Sequence, residues 1–314
     1  MRRFPLVALL LLAPAFADAQ SAAPQPLAPA SPDPRAPLVV SVDWLVQHLH
    51  DPNLVLLHVG VPAEYPAAHI AGARLVSVGD VTVTDTVRKL NVEMPTADTL
   101  RARLSALGVS DDSRIVVYFA KDMVYPAARI LTTLVYAGLG DRASLLDGGM
   151  GAWVAAGNPT TSEPAAPRSG TLAPLDIKPF VVDAAFVQAA LGTAGVAVVD
   201  ARDSVFYSGT RTGGSPSAPH RAGHIPGARN IPWTDLYDEK LHLRSPSELA
   251  ERFRQAGVGA TDVVIGYCHT GQQATAMLLA ARSLGHAVLL YDGSFQDWSA
   301  RTELPVETGP MRKP

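Results

Sequence analysis

Hydrophobic and polar positions along this chain fall into short β-rich runs that alternate with stretches of helical spacing. In the C-terminal half, "VAVVDAR" from Val196, "ARNIP" from Ala228, "VVIGYC" from Val263 and "AVLLYDG" from Ala287 read as strands. Between them "SPSELAERFRQAG" reads as a helix with both ends marked: Ser245 caps it, Pro246 suits its first position, Glu248 closes a capping box and Gly257 ends it. "QATAMLLAARSLG" predicts the next helix, ending at Gly285. Strands alternating with helices predict an α/β fold, a mostly parallel sheet with helices on both faces.

The pattern occurs twice, because the chain matches itself. "VVSVDWLVQHL" from Val39 resembles "FVVDAAFVQAAL" from Phe180, and "LSALGVSDDSRIVVYFAKDMVYPAARIL" from Leu104 resembles "FRQAGVGATDVVIGYCHTGQQATAMLL" from Phe253. "LLDGGMGAWVAAGNPTTS" from Leu145 matches "LYDGSFQDWSARTELPVE" from Leu290. These repeats predict two domains, 38–159 and 179–309, joined by a polar, proline-bearing linker at 160–178.

Length and composition agree, since 314 residues with 47% hydrophobic content suffice for two cores. A net charge of -3, with no basic stripe, argues against nucleic acid as a partner. Residues 1–19, "MRRFPLVALLLLAPAFADA", have the charged start, apolar run and small-residue end of a secretory signal peptide. Residues 20–37 read as a Pro/Ala-rich tether. The expected location is therefore exported, periplasmic in the first instance, with no membrane span in the mature chain.

Cys268 is the single cysteine, so it has no disulfide partner within its own chain. On count alone an unpaired cysteine is a small buried hydrophobe. Its position argues otherwise, because it stands where a strand gives way to a helix, at the sheet edge where open α/β folds place ligands. Within Cys268-His269-Thr270-Gly271-Gln272-Gln273, the glycine permits a tight curl that turns successive N–H groups toward Sγ. A helix starting near Ala274 adds its positive end. Together these predict a thiol pKa lowered from about 8.5 toward neutrality. The same cradle would hold a persulfide, whose outer sulfur carries the charge.

"VVDAR" ending at Arg202, "GHIPGARNIP" from Gly223, "YCHTGQQA" from Tyr267 and "YDGSFQDW" from Tyr291 carry a likeness to a known family. In their order and spacing, and in their repetition, the chain resembles the tandem two-domain members of the rhodanese family of sulfurtransferases, from about Val39 to Thr308. The resemblance implies two rhodanese-like domains and a double displacement. A small-molecule donor such as thiosulfate or 3-mercaptopyruvate passes sulfur to Cys268, and cyanide or a thiol removes it. It implies no metal and no organic cofactor. In the first copy Ala120 stands for Cys268 and Met123 for the loop glycine, so that domain is expected to be inert, its curl lost, and to serve as structure or cleft wall.

Arg202 is a candidate to hold an anionic donor or the loop, or else to pair with a carboxylate behind the site. His269 either points away from the sulfur or, partly protonated, attracts anions at the mouth. Thr270 and Gly271 shape the loop, and Gln272 and Gln273 are expected to act through backbone N–H groups with their amides facing the entrance. Arg211, Arg221 and Arg229 are candidates for a positive rim or plain surface charge, and His224, matched by His69 in the inert copy, reads as a turn pin rather than a base. An arginine the family places six residues after the strand-end Asp falls on Phe206, and Thr270 departs from both loop styles seen in relatives, so the donor stays open. Two rival readings are a non-catalytic exported sulfur carrier or interaction module, and a cysteine-based phosphatase or arsenate reductase. The second lacks its closing arginine, for which this chain has Ala274.

Overall fold

A computed structural model describes residues 24–27, 38–216 and 218–311. The signal peptide, 1–19, and most of the tether lie outside the described residues.

In the first domain the strands are β1 (Val39–Val40), β2 (Leu54–Val59), β3 (Arg74–Leu75), β6 (Arg114–Phe119) and β7 (Ala143–Leu146), all parallel, in the order β1-β7-β6-β2-β3. A separate antiparallel hairpin, β4 (Val83–Asp85) and β5 (Leu90–Glu93), projects from it. The helices are α1 (Val42–His48), α2 (Val78–Val81), α3 (Ala97–Ala106), α4 (Val124–Tyr136) and α5 (Gly149–Ala155). Successive residues of a strand face opposite sides. Leu56 and Val116 therefore pack with Leu45 of α1 and Trp153 of α5, while Leu57 and Val117 pack with Leu100 of α3 and Ile130 of α4.

The second domain repeats this plan. Its strands are β8 (Val181–Val182), β9 (Val196–Asp200), β12 (Arg229–Asn230), β13 (Val263–Tyr267) and β14 (Val288–Tyr291), parallel in the order β12-β9-β13-β14-β8. A short hairpin, β10 (Gly214–Ser215) and β11 (Ala218–Pro219), occupies the loop that lengthens this copy. The helices are α6 (Ala184–Ala190), α7 (Ser204–Tyr207), α8 (Pro246–Gln255), α9 (Gln272–Ser283) and α10 (Ser294–Ala300). At α8 the predicted box is present: Ser245 Oγ accepts the Glu248 N–H at 3.4 Å and Glu248 Oε2 accepts the Ser245 N–H at 3.0 Å.

One hydrophobic core runs through both domains, because α4 packs on α9 and their alanines allow a close approach. The segment after Pro159 folds back along the first domain. There Arg74 Nη1 donates to the Leu107 and Arg168 carbonyls at 2.9 and 2.6 Å, and the Gly170 N–H donates to the Ser105 carbonyl at 2.8 Å. Part of the expected tether is anchored too. Leu27 bridges Val288 antiparallel, satisfying backbone groups that the short β8 leaves open at the start of β14. No helix among the described residues is long and apolar enough to cross a membrane.

Candidate active site

Cys268 follows β13 directly, at the carboxyl end of the central strand of the second sheet, flanked by β9 and β14. The chain turns through His269, Thr270 and Gly271, and α9 begins at Gln272, slightly before the expected start. Gly271 sits at φ +79, a left-handed conformation that side chains resist. A Cβ there would lie 2.8 Å from the Asp292 carbonyl oxygen and 3.1 Å from Arg129 Nη1, so no other residue fits without a shift. The curl brings the N–H groups of Ala274, Thr270 and Gly271 onto Sγ, with the N-terminus of α9 behind them.

The thiol is also buried, at 1% exposure, and this corrects one expectation. Burial pushes the Cys268 pKa up, the three N–H groups pull it down, and the Asp200 carboxylate adds to the upward push. The net direction is upward, so the resting site holds a thiol instead of a standing thiolate. Desolvation outweighs the amide cradle while the mouth is closed.

Beneath the sulfur lies a buried ion pair. Arg202 Nε donates to both oxygens of Asp200 at 2.9 and 3.0 Å, and its Nη2 reaches Asp200 Oδ2 at 2.6 Å and the Gly223 carbonyl at 2.8 Å. Its guanidinium carbon stands 4.1 Å from the centre of the Phe295 ring. Burial opposes its charge, yet Asp200 holds the guanidinium above its ordinary pKa. Arg202 therefore takes the structural role behind the site and does not reach out to a donor.

In front of the loop is a cavity of about 680 Å³ between the two domains. The second domain gives it Phe206, Arg211, His220, His269, Thr270 and Gln296; the first gives it Arg88, Lys89 and Asn91 from the β4–β5 hairpin. Among the described residues no carboxylate lines it. The His269 ring meets Phe206 edge-on at 4.6 Å and His220 at 5.7 Å. Burial, then the charge of Arg202, lowers both imidazoles to about 4, so His269 is neutral near pH 7, against the alternative of a partly protonated imidazole at the mouth. Both rings leave Nδ1 buried without a hydrogen-bond partner. The Arg211 guanidinium carbon lies 5.2 Å over the Phe206 ring. A cation thus stands over the residue that replaces the family arginine.

The rhodanese-like domain family matches residues 41–156 and 183–301, one match on each sheet. The chain belongs to the rhodanese family. A thiosulfate sulfurtransferase of Pseudomonas aeruginosa is 32% identical over 275 residues, covering 86% of this chain and 97% of that protein. A 3-mercaptopyruvate sulfurtransferase of Escherichia coli (strain K12) is 29% identical over 279 residues, covering 85% and 97%. Among solved structures, SseA from Escherichia coli, a 3-mercaptopyruvate sulfotransferase, superposes with a TM-score of 0.70 at 28% identity, covering 82% of this chain and 98% of its own. YnjE superposes with a TM-score of 0.77 at 25% identity, covering 90% of this chain and 70% of its own.

Several parts of this rhodanese site were not legible in the sequence. The Cys268 N–H donates to Ser294 Oγ at 3.2 Å, and the Phe295 and Gln296 N–H groups donate to the Cys268 and His269 carbonyls at 2.9 and 3.0 Å, so the start of α10 holds the loop from below. From the first domain, the Asn91 N–H donates to Gln296 Oε1 at 3.1 Å and the Met94 N–H to Asp292 Oδ2 at 2.7 Å. Gln272 and Gln273 open α9, and neither side chain lines the cavity, contrary to the expected entrance-facing amides. Arg221 is no rim charge: it donates to the carbonyls of Ser299, Leu304, Trp298 and Arg301, closing the end of α10. Arg229 sits at the far edge on β12, away from this cavity. His224 stacks on Tyr207 and its Nδ1–H donates to the Tyr207 carbonyl at 2.7 Å, as His69 does to Tyr65 at 2.8 Å, so both histidines pin turns. Among the described residues no group of three or more His, Cys, Asp or Glu is placed to hold a metal ion.

Proposed function

We propose that the protein is a sulfurtransferase that carries sulfane sulfur as a persulfide on Cys268, loaded by an anionic small-molecule donor of the thiosulfate or 3-mercaptopyruvate kind. The observation that carries this reading is the convergence of the Thr270, Gly271 and Ala274 N–H groups on the chain's one thiol. Such a cradle has no use for a neutral buried sulfur and stabilises negative charge on it. Similar relatives named for each donor support the reaction class.

The first half-reaction begins when the Cys268 thiol loses its proton. That proton passes to solvent once the mouth opens, because imidazoles lowered to about 4, as those of His220 and His269 are, are too weakly basic to hold it. Sγ then attacks the donor's outer sulfur, a new S–S bond forms, and the bond from that sulfur to the rest of the donor breaks, its electron pair leaving with the sulfite or the carbon fragment. In the second half an acceptor nucleophile attacks the outer sulfur and Cys268 leaves as thiolate. Lys89 and Arg211 face the cavity from opposite domains and suit the donor's anionic end. With Sγ closed from solvent at rest, entry of a donor requires the surroundings of the loop to give way.

The test is thiocyanate formation from cyanide with each donor, on the mature chain and on Cys268→Ser, with mass spectrometry of the donor-treated protein. Turnover and a gain of one sulfur on Cys268 are expected in the parent and neither in the variant. A variant as active as the parent overturns the assignment. A persulfide that forms but passes to no acceptor favours a carrier. The same proposal places the mature protein in the periplasm after removal of residues 1–19, which cell fractionation and N-terminal sequencing check.

A further inference from the structure

Arg129 lies on α4, just after the inert turn of the first domain, and is fully buried. Its side chain crosses the domain interface. Nη1 donates to Asp292 Oδ1 at 2.5 Å and, at the longer distance of 3.4 Å, to the Gly271 carbonyl; Nη2 donates to the Val92 carbonyl at 2.6 Å. Asp292 follows β14 and leads into α10, whose Ser294 Oγ accepts the Cys268 N–H. One guanidinium thus touches the loop that forms the sulfur cradle and the carboxylate of the turn that leads into the helix supporting that loop.

The geometry of a trans peptide gives this contact a direction. The C=O and N–H of one peptide unit point opposite ways. With the Gly271 carbonyl held by Arg129, the Gly271–Gln272 peptide plane is fixed in orientation, and it lies in the chain between the Gly271 and Ala274 N–H groups that reach Sγ. Burying a guanidinium is costly unless a carboxylate and hydrogen bonds offset it, and here Nε still lacks a partner. Stability alone does not favour such an arrangement over an apolar contact between α4 and its neighbours.

We propose that Arg129 is a positioning residue for the sulfur-transfer loop: the domain without a thiol reaches across the interface and fixes the Gly271 peptide and the Asp292 turn so that the amides meet at Cys268. This rests on Cys268 being the sulfur carrier. It also gives the inert domain a part in the chemistry beyond that of a wall.

Three variants of the full mature chain test it. Arg129→Lys keeps the charge and loses the fork, and Asp292→Asn keeps the shape and weakens the pair. Tyr136→Ala removes a ring that meets Phe180 at 6.4 Å further along α4, loosening the interface while leaving the hydrogen bonds of Arg129 to Asp292, Gly271 and Val92 in place. The readouts are the pH midpoint of Cys268 alkylation by iodoacetamide, kcat and KM for thiosulfate and 3-mercaptopyruvate, and the melting temperature. Arg129→Lys and Asp292→Asn are expected to raise the alkylation midpoint by about one pH unit and to lower kcat about tenfold with KM little changed. Tyr136→Ala should lower the melting temperature and leave the midpoint in place. An unchanged midpoint and kcat in Arg129→Lys overturns the proposal, as does an equal shift in Tyr136→Ala. If Arg129→Lys does not fold, Asp292→Asn decides by the same criteria. Cys268→Ser separates the two claims: full turnover in that variant sinks the carrier reading, whereas an inactive Cys268→Ser beside a parent-like Arg129→Lys sinks the positioning role alone.

Discussion

In the first domain β6 runs through Ala120, Lys121, Asp122 and Met123 into α4; in the second, β13 runs through Cys268, His269, Thr270 and Gly271 into α9. The turns have equal length and occupy the same place in equivalent sheets. They differ in where the chain turns left-handed. The first does so at Lys121, φ 50, and closes with the Met123 N–H on the Ala120 carbonyl; the second does so at Gly271, next to the helix. Moving the left-handed residue reorients the peptide planes, so the loss of the curl in the inert copy is a relocation and not a change of length.

A second difference lies below the turns. Opposite Tyr267 stands Asp200, paired with Arg202; opposite Tyr118 stands His58, whose Nδ1 is 2.9 Å from the Tyr118 hydroxyl oxygen, with Gly60 further on. Burial, then neighbouring His69, lowers His58 to about 4, so that pair is neutral. The copy with the thiol keeps a buried ion pair under its turn, and the copy without one has an uncharged substitute. A buried ion pair adds little stability for what it costs to desolvate, so its presence in only one copy ties it to holding the Gly223 turn and the loop in register.

This contrast can be broken most directly at the sulfur. Cys268→Ser should reduce turnover by more than about 10³-fold, and Ala120→Cys in that background should restore none, since its turn is left-handed at Lys121 and closes the Met123 N–H on the Ala120 carbonyl; thiocyanate assays read both. Next, Asp200→Asn leaves Arg202 buried without its counter-charge and should cost about 3–5 kcal/mol in denaturant unfolding, while His58→Gln should cost distinctly less. Gly271→Ala puts a Cβ 2.8 Å from a backbone oxygen at positive φ and should lose roughly 1–3 kcal/mol together with most of the turnover, whereas Met123→Gly should change turnover little. Arg211→Gln should raise KM for anionic donors about tenfold with kcat nearly kept, and added salt should mimic it in part.

The smallest expected effect is in acid. His58, His220 and His269 titrate near 4 in the folded protein against 6.5 ordinarily, so between those values the unfolded chain binds more protons. Their contribution to stability is whole above pH 6.5 and declines as pH falls toward 4. Two of the three lie at the cleft, so His269→Phe should flatten the slope of a pH series of unfolding midpoints. A slope unchanged by that variant would show that His269 is already charged or solvated.

Much of this was readable from one chain. The strands that lead to Asp200, Cys268 and Asp292, the box at Ser245 and Glu248, and the lack of a cysteine in the Ala120 copy all follow from local pattern and from self-comparison. Where local pattern left alternatives open, at Arg202 and His269, or pointed the wrong way, at Arg221 and the Cys268 thiol, the outcome depends on partners distant in sequence and on how much water reaches them. Arg129 carried one signal that passed unused, a single cation inside an otherwise apolar helix, "VYPAARILTTLVY".

By itself the sequence determined that two like units would form, that only one would hold a cysteine at its strand–helix turn, and that a glycine would curl the chain beside it, because hydrophobic period, caps and backbone freedom are properties of neighbouring residues. Only the tertiary structure decided that the thiol is closed off and protonated at rest, that Arg202 faces inward, and that the inert domain holds the loop through Arg129. Those outcomes are set by desolvation and by charges meeting across the α4–α9 interface, and both act through space, between residues far apart along the chain.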